Sequence, residues 1–270
     1  MDIFNFDMHA VFSFFLTFFR ISIVLFLLPF FGGQNIPNTV KAALCIVLAL
    51  TLWPQLSFSG YMLPENGWSL LLVFMGELIL GLILGLIVNI VFSGVQVAGE
   101  IISFQMGLSM MTMVEPSSGT STSVLSNFLY LFTLVVFLLL DGHIIMMHGL
   151  SESFGLVPPG ALLISPYLTG DILKFSAQLF IIGLKVSAPV LISLFLVEVG
   201  LAMVARMAPQ MNVLILGFPL KVGVGFFFFG LILSLMPNYL HSFIVEMVDM
   251  FSMLLRMPGS ESFALIEVGG

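Results

Sequence analysis

The sequence predicts an all-α protein of the integral-membrane type, and three observations predict it. Hydrophobic residues make up 60% of the 270-residue chain and charged residues only 8%, where a soluble domain carries about 25% charged residues. Mean hydropathy is +1.20. Apolar runs reach the ~20 residues needed to span a bilayer as helix. They are separated by Pro-, Gly- and Ser-rich breaks of the kind that end helices.

The apolar runs lie at roughly 10–31, 41–59, 68–104, 123–147, 172–205 and 212–236. The first begins without the marks of a cleavable signal peptide. Asp2 and Asp7 stand where a basic region would be, and Arg20 interrupts the apolar stretch. It reads as the start of the mature protein. Breaks fall at Pro29 with Gly32-Gly33 and Pro37, at Pro54 through Pro64, at a Met/Pro/Ser segment after Gln105, at Gly155 through Pro166, and at Pro209. Asp141-Gly142-His143 closes a helix near the membrane boundary. From Asn238 to Arg256 the polar residues recur every three or four positions, which predicts an amphipathic helix. Residues 259–270 are expected to be disordered.

Five charges sit inside apolar context, namely Arg20, Glu77, Glu100, Lys185 and Glu198. Each costs about 2.5–3.5 kcal/mol at the centre of a lipid-exposed helix, so these helices should pack against protein. The run after Trp68 shows how. At 100° per residue, Gly81, Gly85, Asn89, Ser93, Gln96, Gly99, Glu100 and Ser103 fall on one half of the circumference. Gly81-x-x-x-Gly85 permits close approach of a second backbone. This face is either a helix–helix seam or the lining of a wet path. Glu100 is either a proton-relay group or a buried carboxylate hydrogen-bonded near Gln96.

The Met/Pro/Ser segment carries Met106, Gly107, Met110, Met111, Met113, Glu115, Pro116, Ser117, Ser118 and Gly119. Irregular backbone at membrane depth survives only where protein covers it or where it lines a cavity. Flexible thioether side chains suit a surface that seals and re-packs. A gate or plug is one reading, and a Met-filled core followed by an external loop is the other. Pro116 holds Glu115 extended, and the Ser/Thr run 117–123 offers an N-cap for a helix starting near Ser123 or Val124. The last break, Arg206 to Lys221, holds Pro209, Gln210, Asn212, Gly217, Phe218 and Pro219 between two basic ends. Gln210 and Asn212 are able to bond freed backbone groups. With so few basic residues to weigh, the positive-inside rule places this turn on the cytoplasmic side.

Enzyme classes find no support. The sequence has no Gly-x-Ser-x-Gly, no P-loop and no His-Glu-x-x-His. His143 and His148, five apart, do not stack as ligands on one helix face. No cofactor or metal is implied. The net charge of −7 argues against nucleic acid. The single Cys45 excludes an intrachain disulfide. A transporter with Glu77 and Glu100 as coupling carboxylates and a pure scaffold remain as other classes.

The two breaks Gln105-Met-Gly-Leu-Ser…Glu115-Pro-Ser-Ser-Gly119 and Arg206-Met-Ala-Pro-Gln-Met-Asn…Gly217-Phe-Pro-Leu-Lys221, with the length and hydrophobic layout, resemble the FliR family of flagellar biosynthetic membrane proteins and its T-type injectisome relatives. The resemblance runs from about Phe4 to Met257. It implies a non-enzymatic subunit of the bacterial inner membrane and the flagellar basal body, assembled with FliP and FliQ into a type III export gate for unfolded substrates. It implies bent helical hairpins, with a FliP-like part at 1–170, a FliQ-like hairpin and amphipathic end at 171–258, and a tail at 259–270. By position, the plug of the family corresponds to about Met106 through Ser121, with Met110, Met111 and Met113 as apolar contacts. The tip at 206–221 corresponds to the end that faces the export switch FlhB and incoming substrate. Many relatives have aromatic or small residues where this chain has Met.

Overall fold

The computed structural model describes residues 8–32, 36–55, 66–109, 123–157 and 168–255, and all regular structure in them is helical. In chain order the helices are α1 (Met8–Leu27), the single turn α2 (Pro29–Gly32), α3 (Asn38–Leu52), α4 (Gly67–Met106), α5 (Val124–Leu139), α6 (Gly142–Leu156), α7 (Leu168–Met207) and α8 (Val213–Leu255). A 3₁₀ turn, Trp53–Gln55, follows α3. Among the described residues four helices are long and apolar enough to cross a membrane: α1, α4, and the parts Leu173–Met207 of α7 and Ile215–Met247 of α8. The protein is an all-α membrane protein.

Contacts gather the chain into two compact units that cut across linear order. The first unit holds Met1–Asn89, Gly142–Lys174 and Val245–Gly270, and the second holds Ile90–Asp141 and Phe175–Ile244. In the first, α1 packs on α4 through rings: Phe12 and Phe19 stand edge-on to Phe74, at 6.3 and 5.3 Å between centroids. Trp53 closes the end of α3 on α1, donating its indole N–H to Ser13 Oγ at 3.0 Å while Phe14 stands edge-on to the ring. In the second unit Phe92 of α4 sits edge-on to Phe137 of α5 at 5.3 Å.

Helix α4 is covered on more than its polar side. Ile87, Val88, Phe92, Val95, Ala98 and Ile102 are all buried along with Gly81 and Gly85. Part of the aliphatic surface beside the polar stripe is therefore also packed on protein, while Leu82, Leu86 and Phe104 stay exposed.

Three local expectations change. Asp141 does end a helix, with φ 55°, but a new helix starts at the next residue. The break around Pro209 is short: α7 runs to Met207 and α8 starts at Val213, so Gly217, Phe218, Pro219 and Lys221 stand on helix. Pro219 is in the second turn of α8, where the lost N–H bond is tolerated within a 43-residue helix. The amphipathic stretch from Asn238 is continuous with α8, across Pro237. Its pattern is present: Leu240, Phe243, Ile244 and Met247 are buried, and Asn238, His241, Ser242 and Glu246 are exposed. The tail 259–270 lies outside the described residues.

Candidate functional site

The site is built around the C-terminal end of α4, where the Met/Pro/Ser segment begins. Gly107 has φ +81° and terminates the helix. Its N–H donates to the Phe104 carbonyl and the Leu108 N–H donates to the Ser103 carbonyl, both at 3.0 Å. This pair of bonds is the Schellman arrangement, which needs a left-handed residue at the position Gly107 occupies. Met106, just before it, is fully buried. Its side chain lies over Gly225 of α8, where a Cβ would stand 2.7 Å from Met106 Cγ. The Phe218 ring covers Gly107, 3.5 Å from the place a Cβ would take.

A polar cluster ties the same helix end to α7 and α8. Glu198 Oε1 accepts from Lys221 Nζ at 2.6 Å and from Gln105 Nε2 at 3.4 Å. Three helices therefore meet on one carboxylate oxygen. Met110, Met111, Met113, Glu115, Pro116, Ser117, Ser118 and Gly119 lie outside the described residues.

The polar stripe of α4 meets other helices of this chain. A Cβ on Gly81 would stand 2.7 Å from Ile23 Cγ2, and one on Gly85 would stand 2.5 Å from Leu27 Cβ. Asn89 Nδ2 donates to the Leu27 carbonyl at 2.7 Å, satisfying a carbonyl at the end of α1. Farther along, Gly99 faces Ser126 of α5 so closely that a Cβ would collide with the Ser126 Cα. Ser126 Oγ donates to the Gln96 carbonyl at 2.8 Å. Ser103 is buried and Ser93 half-buried.

Glu100 belongs to the cap of α5. Its Oε1 accepts the Ser123 N–H at 2.8 Å, and Ser123 Oγ accepts the Ser126 N–H at 3.2 Å. A carboxylate beside a helix N-terminus meets the positive end of the helix dipole. Glu77 is also accounted for. With Arg20 it forms a fully buried bidentate pair, Nε to Oε2 at 2.5 Å and Nη2 to Oε1 at 3.0 Å.

At the turn between α7 and α8 the chain is closed by its own backbone. Ala208 N–H donates to Val204 O, Met211 N–H to Ala208 O and Ile215 N–H to Asn212 O. Gln210 and Asn212, expected to supply these bonds through their side chains, are exposed, as are Arg206, Pro209 and Pro219. Gly217 is buried against Leu201. Among the described residues no three His, Cys, Asp or Glu side chains gather as metal ligands.

Residues 11–247 match the family described as bacterial export proteins, family 1. The chain belongs to that family. It is 30% identical over 248 residues to the flagellar biosynthetic protein FliR of Pectobacterium carotovorum subsp. carotovorum, covering 92% of this chain and 94% of the relative. It is 33% identical over 220 residues to FliR of Bacillus subtilis (strain 168), covering 79% and 83%. It is also 30% identical over 216 residues to the surface presentation of antigens protein SpaR of Salmonella typhimurium, covering 80% and 81%. The family match spans from within α1 to within α8, and so takes in both the glycine cap and the Glu198 cluster.

Sequence reasoning singled out Met106, Gly107, Phe218 and Lys221 but in two separate segments. Their meeting, and the roles of Gln105, Glu198 and Gly225, come from the packing of α4 against α7 and α8. The one signal for it in the sequence is that Glu198 and Lys221 are opposite charges placed on either side of the same short turn.

Proposed function

We propose that this chain is the FliR-type subunit of a flagellar type III export gate in the bacterial inner membrane, at the basal body, and that it is not an enzyme. It assembles with FliP and FliQ subunits around a path for unfolded export substrates. The turn at 206–212 faces the cytoplasm and the export switch FlhB. The segment that follows Gly107 closes the path at rest. The observation that carries this reading is the family match across residues 11–247, with FliR proteins among its relatives at about the same length.

Two features of the site support a plug at this place. Gly107 ends α4 abruptly, so the following residues leave the helix axis. The root of that segment is held by Met106 against Gly225 and by Gln105 on Glu198, which gives a closure at this place a fixed base. The transporter reading loses its coupling groups. Glu77 is locked to Arg20 and Glu100 caps α5.

The test is co-expression with FliP and FliQ, followed by purification and mass determination of the intact complex. A complex containing this chain is expected. Deleting residues 110–118 should leave assembly intact and make the complex conduct ions. Recovery of this chain alone as a stable species that catalyses solute uptake would overturn the assignment. A deletion that assembles and stays tight would overturn the plug.

A further inference from the structure

Helix α7 has two unlike sides. Ile182, Val186, Val190 and Leu194 are buried, and Gly183 lies against Val97 of α4. The other side carries Phe180, Leu184, Ile192, Phe195 and Leu196, each more than half exposed. Such a side would suit lipid, except that Lys185 stands exposed in the middle of it.

Lys185 is unlike the other charges in apolar helices of this chain. Arg20 is paired with Glu77, and Glu198 with Lys221. Among the described residues Lys185 has no ion pair and no hydrogen bond from its side chain. The membrane-crossing part of α7 runs from Leu173 to Met207, which puts Lys185 about 18 Å along the helix from its start and about 33 Å from its end at 1.5 Å per residue. Lys185 therefore stands within the apolar stretch, away from both of its ends. Ionisable groups within membrane-spanning segments almost always face protein or a wet cavity and pair with an opposite charge.

We propose that this side of α7 is a docking surface for a membrane-spanning helix of a partner protein that carries an aspartate or glutamate at the level of Lys185. The aliphatic and aromatic residues around the lysine supply the area of contact. The ion pair sets the register, because only one vertical position of the partner helix brings its carboxylate onto the ammonium. An unpaired charge left inside the contact would weaken it strongly. The proposal rests on the reading of this chain as a subunit of a hetero-oligomeric membrane assembly, and adds the chemistry of one partner helix.

The test uses the full chain, co-expressed with its neighbouring export subunits and purified as the complex. Lys185→Arg should assemble as wild type. Lys185→Leu and Lys185→Glu should reduce recovered complex at least tenfold while the amount of this chain in the membrane is unchanged; leucine there is compatible with an apolar helix, so its effect cannot be ascribed to misfolding. Benzoylphenylalanine introduced at Leu184 should cross-link to a partner helix containing Asp or Glu. Exchanging that carboxylate for lysine should restore assembly to Lys185→Glu. Wild-type recovery of Lys185→Leu, or cross-links to lipid alone, overturns this surface while leaving the subunit reading standing. Failure of the wild-type chain to co-purify with any subunit overturns both.

Discussion

Arg20 of α1 and Glu77 of α4 form a bidentate ion pair with neither side chain exposed, and the pair leaves almost no polar atom unsatisfied. The remaining guanidinium nitrogen, Nη1, donates to the carbonyls of Ser153 and Val157 at 3.2 and 3.1 Å. The Phe154 ring lies 4.3 Å from the guanidinium carbon. One arginine therefore joins α1 to α4 and to the C-terminal end of α6, where the Ser153 carbonyl also accepts the Val157 N–H at 2.9 Å. Arginine is suited to this because its planar fork serves a carboxylate and two carbonyls at once.

Breaking this pair on one side should be costly. Arg20→Met or Glu77→Leu leaves a buried charge unpaired and is expected to destabilise by about 3–5 kcal/mol. The double variant, which removes both charges, should recover a large part of that loss. Thermal unfolding of the purified protein in detergent measures both. Single variants that melt like wild type would show that the pair is not closed off from solvent.

Gly107 should resist substitution more than its neighbours. A branched residue at φ +81° pays about 1–2 kcal/mol for the left-handed conformation, so Gly107→Val should lower stability by that amount. Gly107→Asn should cost less, since asparagine visits this region more readily. The order Val worse than Asn is the check. The reverse order would point to crowding by Phe218 and not to the backbone.

Gly85 tests the seam between α1 and α4. A Cβ there would stand 2.5 Å from Leu27 Cβ, and overpacking of this kind costs about 1–3 kcal/mol. The effect should appear in the isolated chain, as a lower melting temperature of Gly85→Leu before any partner is added. A variant stable alone but unable to assemble would place a partner at this glycine instead.

Ser123 is the N-cap of α5. Ser123→Ala should cost about 1 kcal/mol. Glu100→Ala should remove the second acceptor at the same helix end. Because both act on one cap, their effects should fall short of additive in the double variant. Full additivity in melting measurements would separate the two contacts.

Much of the fold is legible in the residues. The runs before Pro54 and after Trp68 become α1, α3 and α4, and Ser123 caps α5 as its hydroxyl predicts. Legibility fails at Pro219, read as part of a break. It lies inside α8, as Pro189 lies inside α7 and Pro237 inside α8, because a long helix packed along its length tolerates one missing N–H bond. The site is half legible. Gly107 and Met106 stand out in sequence, but nothing local says that Phe218 and Gly225, more than a hundred positions away, are what they touch.

Composition and periodicity alone determine that the chain is a helical membrane protein and that charges such as Arg20, Glu77 and Glu198 have to be met by protein, since lipid solvates neither ions nor free backbone groups. Periodicity also gathers the small and polar residues of α4 on one face. Tertiary structure supplies what that face meets within this chain: Gly81, Gly85 and Asn89 meet α1, and Gly99 and Gln96 meet α5. It also decides the partners of the charges. Arg20 takes Glu77, and Lys221 takes Glu198. Spacing along a helix states which side chains share a face. Which second surface arrives there depends on contacts 23 to 62 positions apart, which only packing supplies.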